Sequence, residues 1–193
     1  KINPPSLGLS RKYLVKGTKD KDVMAYLDYM VNTAVFLGAN REVARAEMKE
    51  ALDLELKIAA QTMFQEERRN KTALYNVMTV KEVSALYPDM DWVEYINAIM
   101  SPDRSITIDE NEIVNVSVPK YIKEFKEMIA GVPARTIANL IMWRNVKDMM
   151  PFLTEEAIQI QLVYSKAITG QSSKSPRWEN CVKATAGLDE NDL

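Results

Sequence analysis

Apolar residues spaced three and four positions apart recur along most of this chain, and this spacing constrains the fold more than any other feature. The first stripe begins near Lys21 and consists of Val23, Tyr26, Leu27, Met30, Val31, Ala34, Val35 and Leu37. It predicts an amphipathic helix that Gly38 ends. A second stripe, over residues 41–63, consists of Val43, Met48, Leu52, Leu56 and Ala59. Because the connection between the stripes is short, we expect a long antiparallel helical hairpin.

Two capping signals predict short helices in the middle of the chain. Thr79 and Asp91 each stand three residues before a glutamate, Glu82 and Glu94 respectively. This is the spacing of a capping box, in which side chains satisfy the first backbone N–H groups of a helix. Pro88 lies between the two signals and separates the two expected helices.

The segment that follows alternates between apolar and polar residues, which is the period of a β-strand. The apolar residues are Ile106 and Ile108 before a polar turn at 109–111, and Val114, Val116 and Val118 after it. This pattern predicts one small β-hairpin.

Helical spacing then returns and continues towards the end of the chain. It predicts helices over residues 119–131, 133–151 and about 155–168, and a last short helix that carries Cys181. The sequence shows no internal repeat, low-complexity tract or domain break. We therefore expect a single mainly α domain over residues 1–193, built as a multi-helix lobe with the long helical hairpin and one small β-hairpin.

Composition excludes several classes of function. The 193 residues include no histidine, so neither a histidine zinc site nor a Ser-His-Asp triad lies within this chain. Twenty-five basic and 27 acidic residues give a net charge of −2 and are scattered along the sequence. This balance excludes the basic surface of a nucleic-acid-binding protein.

The sequence also lacks the usual membrane and targeting signals. No stretch approaches the roughly 20 apolar residues of a membrane-spanning helix, and the first 14 residues do not form a signal peptide. The chain begins at Lys1 rather than Met. We therefore expect a soluble segment that is excised or processed from a longer product.

Three clusters of side chains have both a functional and a structural interpretation. The 11 methionines and the aromatic residues suit a peptide-binding surface, but most lie on the helical stripes and favour core packing. Residues 66–69, Glu-Glu-Arg-Arg, suit an anion site, although a solvated loop with local ion pairs is favoured. Asp89 with Asp91, or Glu155 with Glu156, suit a general acid and base, but capping explains them better. The residues alone therefore favour an α-helical interaction or structural domain.

Three residues bear on the cellular compartment. Cys181 is the only cysteine, which leaves open a buried cytosolic thiol or half of a disulfide with a partner outside the chain. Asn70 and Asn115 begin Asn-x-Ser/Thr sequons in stretches that we expect to be exposed. Together the sequons favour a secreted glycoprotein.

Several motifs, taken in order, carry a resemblance to a known family. They are residues 4–9, 26–31, 65–70, 74–79, 139–144 and 175–181, together with Asp91-Trp92 followed by Asn97. These motifs resemble the N-terminal region of neprilysin and the endothelin-converting enzymes, and they cover nearly the whole chain. The resemblance implies an extracellular zinc metallopeptidase, typically anchored as a type II membrane protein or secreted, which cleaves peptides.

The resemblance also implies which part of such an enzyme this chain represents. Members of this family have two largely helical lobes, one that holds zinc and one that acts as a lid and limits substrate size. This chain resembles the lid lobe. The family's zinc histidines, catalytic glutamate and substrate-binding Asn-Ala segment belong beyond Leu193, and no position here matches them. The resemblance therefore implies no catalytic residue and no metal ligand in this chain, which we expect to be inactive alone.

Partners and the role of Cys181 follow from the same resemblance. In the family, the cysteine after an Arg-Trp pair forms a disulfide with one upstream of the lid segment, so the partner of Cys181 would lie before Lys1. Some members carry a local cysteine pair in the first loop, near residues 13–23, which this chain lacks. We expect contact with the catalytic lobe of the parent and self-association of the isolated chain. The alternative is a stand-alone helical protein-interaction domain without peptidase activity.

Overall fold

A computed structural model describes residues 1–62, 69–100, 106–171, 173 and 176–189. Their helices are α1 (Arg11–Leu14), α2 (Lys21–Phe36), α3 (Arg41–Gln61), α4 (Val80–Leu86), α5 (Trp92–Met100), α6 (Pro119–Ile129), α7 (Ala134–Met149), α8 (Glu155–Thr169) and α9 (Arg177–Asp189). The strands are β1 (Val77–Thr79) and β2 (Ile113–Asn115), and a 3₁₀ turn covers Met150–Phe152. The fold is mainly α, as the sequence predicts.

The α2–α3 hairpin forms as the apolar stripes predict. Asn40 caps α3 by accepting from the N–H groups of Glu42 and Val43, and Gly38 adopts a φ of 102° in the connection. The antiparallel register is visible in two contacts, from Arg41 to Asn32 and from Arg45 to Asp28. The predicted end of α3 at 63 lies outside the described residues.

The main core lies where α7 packs on α3 and α8 packs on α2. Its fully buried side chains come chiefly from the helical hairpin and include Leu14, Val23, Tyr26, Met30, Val31, Leu52 and Met150. Helices that are far apart in the sequence therefore share one apolar core, and this core holds the α2–α3 hairpin against α7 and α8.

A second, smaller core lies beside the sheet. It is formed by Val80, Val83, Trp92 and Val116. Helix α6 lies between the two cores, since Phe125 contacts the main core while Ile122 of the same helix contacts the smaller one. The strongly amphipathic α6 thus joins the two parts.

The small antiparallel sheet is present, but its pairing differs from the predicted hairpin. Strand β2 pairs with β1, with Met78 opposite Val114, rather than with residues 106–108. The side chain of Asn97 in α5 binds both the N–H and the C=O of Ile108, at 2.8 Å each. These two hydrogen bonds fix that backbone against a helix, so Ile108 is not available for the strand ladder.

The remaining helices begin and end close to the predicted capping residues and glycines. Thr79 and Glu82 form a complete capping box at α4, and the side chain of Asp91 accepts from the N–H of Glu94 at the start of α5. Gly170 ends α8 in the left-handed conformation, with a φ of 78°. The short helix α1 was not predicted, because four residues are too few to show a helical period.

Candidate functional site

The carboxylate of Glu55 in α3 lies fully buried in the main core. Its Oε1 accepts a 2.6 Å hydrogen bond from the backbone N–H of Gly8, and its Oε2 accepts a 2.9 Å hydrogen bond from the hydroxyl of Tyr26. That hydroxyl in turn accepts a 2.7 Å hydrogen bond from the indole Nε1 of Trp143. One chain of hydrogen bonds therefore joins the opening loop, α2, α3 and α7.

Arg144 supplies the opposite charge that a buried carboxylate requires. Its Nη1 lies 3.4 Å from Oε1 of Glu55, and its Nη2 donates a 2.8 Å hydrogen bond to the hydroxyl of Ser6. The guanidinium is about one quarter exposed, whereas the carboxylate is not exposed at all. Arg144 thus neutralises Glu55 and binds the opening loop at the same time. We name the group of Ser6, Gly8, Tyr26, Glu55, Trp143 and Arg144 the Glu55 clamp.

The ring of Tyr26 belongs to an aromatic cluster. Tyr26 and Tyr29 each pack edge-on against Trp143, with ring centroids 5.7 and 5.1 Å apart, and Tyr29 stacks on Tyr164 at 4.7 Å. Burial, followed by the charge of Glu55, holds the pKa of Tyr26 well above its usual value. The same two causes raise the pKa of Tyr164 to about 12. Both phenols therefore stay neutral at physiological pH, and that of Tyr26 remains a hydrogen-bond donor.

At Gly8 the backbone of the opening loop comes closest to Tyr26 and Glu55. A Cβ atom at this position would lie 2.0 Å from the hydroxyl oxygen of Tyr26 and 3.2 Å from Oε1 of Glu55. Only glycine allows the loop backbone to approach the buried carboxylate so closely. The Glu55 clamp is a positioning device: its carboxylate is sealed from solvent and fully bonded, so it has no room to act on a substrate.

The position of Glu55 in the sequence indicates that its side chain is buried, although the prediction from apolar residues did not include it. Met48, Leu52 and Ala59 lie on the predicted apolar stripe, and Glu55 follows Leu52 by three positions and precedes Ala59 by four. A charged residue in register with a buried stripe indicates a buried ionic partner. Its partners Gly8, Tyr26 and Arg144 belong to three of the motifs that carry the family resemblance, and the structure brings these motifs together.

The two sequons differ in accessibility. Asn70 is exposed just before the turn at residues 71–74, and its side-chain oxygen accepts from the N–H of Ala73 at 3.2 Å. Asn115 lies half-buried in β2, where its side-chain oxygen accepts from the N–H of Asn76 at 2.8 Å. The expectation that both stretches are exposed is therefore wrong for Asn115, because its side chain joins the sheet to the preceding loop.

Cys181 lies on the exposed face of α9. Trp178 and Val182, three positions before it and one after it, are also exposed, so an apolar stripe runs beside the thiol. Cys181 forms no disulfide within the described residues. Its predicted pairing with a cysteine outside this chain stays a prediction.

The other acidic pairs take structural positions. Asp89 forms an ion pair with Lys126 of α6, and Asp91 caps α5 as described. Glu155 and Glu156 occupy the first turn of α8, where negative charge is favourable. The capping interpretation of these residues is the one the structure supports. In the Glu-Glu-Arg-Arg cluster, residues 66–68 lie outside the described part of the chain.

The described residues form neither a cluster of metal-binding side chains nor a membrane-spanning helix. No group of three or more Cys, Asp or Glu side chains in this part lies close enough to hold a metal ion. No described helix is both long enough and apolar enough to cross a membrane. The expectation of no catalytic residue and no metal ligand in this chain stays a prediction.

A large cavity in the described part lies between the α4–α5 turn and α6. It measures about 630 Å³ and is lined mainly by apolar side chains, among them Leu86, Met90, Trp92, Phe125 and Ile129. The ion pair between Asp89 and Lys126 lies at the same cavity. This volume is typical of ligand pockets.

Comparison with known proteins gives one family. The model of the N-terminal domain of peptidase family M13 matches residues 1–191. The chain is 39% identical over 190 residues to neprilysin-2 of Drosophila melanogaster, which covers 98% of this chain and 24% of that protein. It is 30% identical over 196 residues to endothelin-converting enzyme 1 of Rattus norvegicus, covering 100% of this chain and 25% of that protein. The chain thus spans about a quarter of the curated relatives it matches.

Solved structures of a zinc metalloprotease from Mycobacterium tuberculosis share the fold. A structure described as the open state matches with a TM-score of 0.82 and 20% identity, covering 95% of this chain and 28% of that chain. A complex of that metalloprotease with an inhibitor matches with a TM-score of 0.78 and 22% identity over the same shares. The helical arrangement described above is therefore one found in a metalloprotease.

Proposed function

Since this chain belongs to peptidase family M13, we propose that it forms part of the non-catalytic lid lobe of a neprilysin-like zinc metalloendopeptidase. In the intact parent its function would be steric: it lines the cavity that encloses the peptide and limits the size of substrates that enter. The observation that carries this proposal is the match of residues 1–191 to the N-terminal domain of a peptidase family. The absence of histidine from the sequence is consistent with imidazole zinc ligands that belong to another lobe.

The Glu55 clamp suits a lobe that limits access by its shape. A lobe that filters substrates by size must keep its shape. The clamp bonds an otherwise irregular loop directly to α3 and α7, and Tyr26 of α2 bonds to the same carboxylate. Structures of the related metalloprotease are described in open and partially open states. In the parent of this chain, we propose that the lobe keeps its shape when the cavity opens.

The parent would hydrolyse peptide bonds with a zinc-activated water in its catalytic lobe. The chain described here contributes geometry to that reaction, and its partners are the catalytic lobe of the same parent and the enclosed peptide. We further propose an extracellular location, either on a type II membrane-anchored or on a secreted parent. The exposed thiol of Cys181 would then pair with a cysteine upstream of Lys1, and the exposed Asn70 would carry a glycan.

The proposal is tested by comparing the purified 193-residue chain with the parent that its gene encodes. We expect the parent to cleave peptides in a chelator-sensitive way, while the 193-residue chain neither cleaves them nor binds zinc stoichiometrically. Calorimetry with zinc and a peptidase assay on both proteins measure this. Tight stoichiometric zinc binding, or chelator-sensitive proteolysis by the 193-residue chain alone, would contradict the proposed role.

A second candidate is a stand-alone helical interaction domain without peptidase activity. Large exposed apolar side chains away from the exposed side of α7 favour it, including Trp178 on α9 and Ile99 on α5. The same side chains predict self-association of the isolated chain, which light scattering over a range of concentrations measures. The gene decides between the two functions: a His-Glu-x-x-His sequence after Leu193 supports the peptidase, and a stop codon there supports the interaction domain.

A further inference from the structure

Helix α7 carries apolar side chains on both of its sides, although one side alone packs on the core. Leu140 and Trp143 are buried in the main core. On the opposite side Ile141, Met142 and Met149 are each more than half exposed. Exposed large apolar side chains that lie together mark interaction sites, and the described residues leave this side of α7 uncovered.

The exposed side of α7 has the spacing of a helix–helix seam. Ala138, Met142, Asn145 and Met149 are all exposed and follow one another at intervals of four, three and four residues. This alternation keeps side chains on one line along a helix and is the spacing at which two helices interdigitate. No residue at these four positions is charged. The seam therefore suits a second apolar helix.

A pocket opens beside the middle of this seam. It measures about 170 Å³ and is lined by Met142 of α7, Met30 and Ala34 of α2, Met48 of α3 and Leu37 after α2, among others. Leu37 and Met142 are both more than half exposed, so the pocket is open at the surface. A cavity of roughly 150 Å³ holds a benzene ring, and this pocket therefore accommodates one large apolar side chain.

We propose that the seam and the pocket together, the α7 surface, are the docking site for a helix from another part of the same parent polypeptide. That helix inserts one leucine-, methionine- or phenylalanine-sized side chain into the pocket and packs along α7. This proposal rests on the proposed function, because it requires a parent longer than the chain described here. In that parent, the α7 surface would be a permanent contact within the lobe.

The length of the relatives favours this occupant over a second copy of the chain. The matched region is about a quarter of each curated relative, so most of such a protein lies outside it and is available to cover α7. A contact within one polypeptide also avoids most of the translational entropy that two separate chains lose. Uncharged seam positions are consistent with a contact that is formed once, at folding, and stays dry.

The test is the rate at which a thiol on the α7 surface reacts with a maleimide. Met142→Cys is introduced into the 193-residue chain and into the parent, both with Cys181→Ser to remove the native thiol. Val163→Cys is the matched control, since Val163 is 70% exposed on α8 and Met142 is 60% exposed on α7. We expect Met142→Cys to react at least about tenfold more slowly in the parent, because docking protects it, while Val163→Cys reacts equally in both.

A pocket-filling variant checks the insertion of the side chain. Ala34→Leu in the parent fills the pocket without adding a charge, and we expect it to restore fast labelling of Met142→Cys. Equal labelling of Met142→Cys in the parent and in the 193-residue chain would overturn the proposal. So would slow labelling of the 193-residue chain that depends on its concentration, which would identify a second copy as the occupant. The peptidase assay tests the proposed function separately, since labelling does not depend on activity.

Discussion

The hydroxyl of Tyr26 donates a 2.9 Å hydrogen bond to Oε2 of Glu55, and both groups are buried. These residues come from facing positions of the α2–α3 hairpin, 29 residues apart in sequence. Because Tyr26 also accepts from Trp143, this single hydroxyl satisfies two buried polar groups at once. The stability of the domain should therefore respond sharply to its loss.

Tyr26→Phe removes the hydroxyl and keeps the ring. Glu55 and Trp143 each lose a partner in the core, and a buried polar group left unpaired costs about 1–3 kcal/mol. We expect the free energy of unfolding to fall by about 3 kcal/mol, measured by urea denaturation. Tyr75→Phe is the matched control, because Tyr75 is 71% exposed. Equal stability of the two variants would show that the hydrogen-bond chain does not stabilise the fold.

Gly8→Ala places a methyl group against the clamp. Since the new Cβ would lie 2.0 Å from the hydroxyl oxygen of Tyr26, the loop must move and the bond from Gly8 to Glu55 is lost. We expect destabilisation of about 2–3 kcal/mol, the range of overpacking combined with a lost hydrogen bond. Gly131→Ala serves as the control, because beyond Gly131 and its two chain neighbours no atom of the described residues lies within 4 Å of the position that its methyl group would take. A thermal melt in which both variants match the unsubstituted chain would exclude the close approach at Gly8.

Alkaline pH should lower the stability of the domain, because ionising a buried tyrosine opposes folding whereas ionising an exposed one does not. Burial, with a smaller effect from Glu55, raises the pKa of Tyr164 from 10.0 to about 12. The folded state therefore favours the neutral phenol, and this contribution is complete below pH 10 and is lost as pH rises from 10 to about 12. We expect the urea midpoint to fall over this range. The fall should be smaller in Tyr164→Phe and unchanged in Tyr75→Phe; a pH-independent midpoint would refute the burial of these phenols.

Glycosylation should distinguish the two sequons. In a eukaryotic secretory host we expect a glycan on Asn70, which is exposed just before a turn. We expect none on Asn115, whose side-chain oxygen accepts from the N–H of Asn76 just before β1. Peptide mapping by mass spectrometry measures the occupancy of each site. Asn70→Gln should remove the mass shift and Asn115→Gln should leave it unchanged. A glycan found on Asn115 would mean that this strand is accessible to the transferase.

Much of the helical architecture was predictable because its causes are local. The period of apolar residues, the caps at Thr79 and Asp91 and the stops at Gly38 and Gly170 act within one or two turns of the helix they define. Such signals can be read from a single sequence without knowledge of the tertiary contacts. The family resemblance was likewise carried by contiguous motifs, and the family match bears it out.

The Glu55 clamp and the strand pairing of the sheet were not predicted, because both depend on residues that are distant in the sequence. Strand β1 is only three residues long, and its partner begins 34 residues after its own last residue, at Ile113. The alternation around Ile108 favoured a hairpin, but the amide of Asn97 binds that backbone instead. Similarly, the surroundings of Glu55 depend on residues before α1 and within α7. No local pattern reports contacts of that separation.

The clamp also has a consequence for the order in which the chain folds. Ser6 bonds to Arg144, 138 positions away, and Asn3 bonds to Ser117, 114 positions away. Forming contacts that close such long loops costs the chain the most conformational entropy, so these contacts form slowly. The α2–α3 hairpin needs no such closure and is able to form early. The first residues of the chain should therefore pack last, onto helices that are already assembled. Docking of the opening loop would then be the final step in folding of the domain.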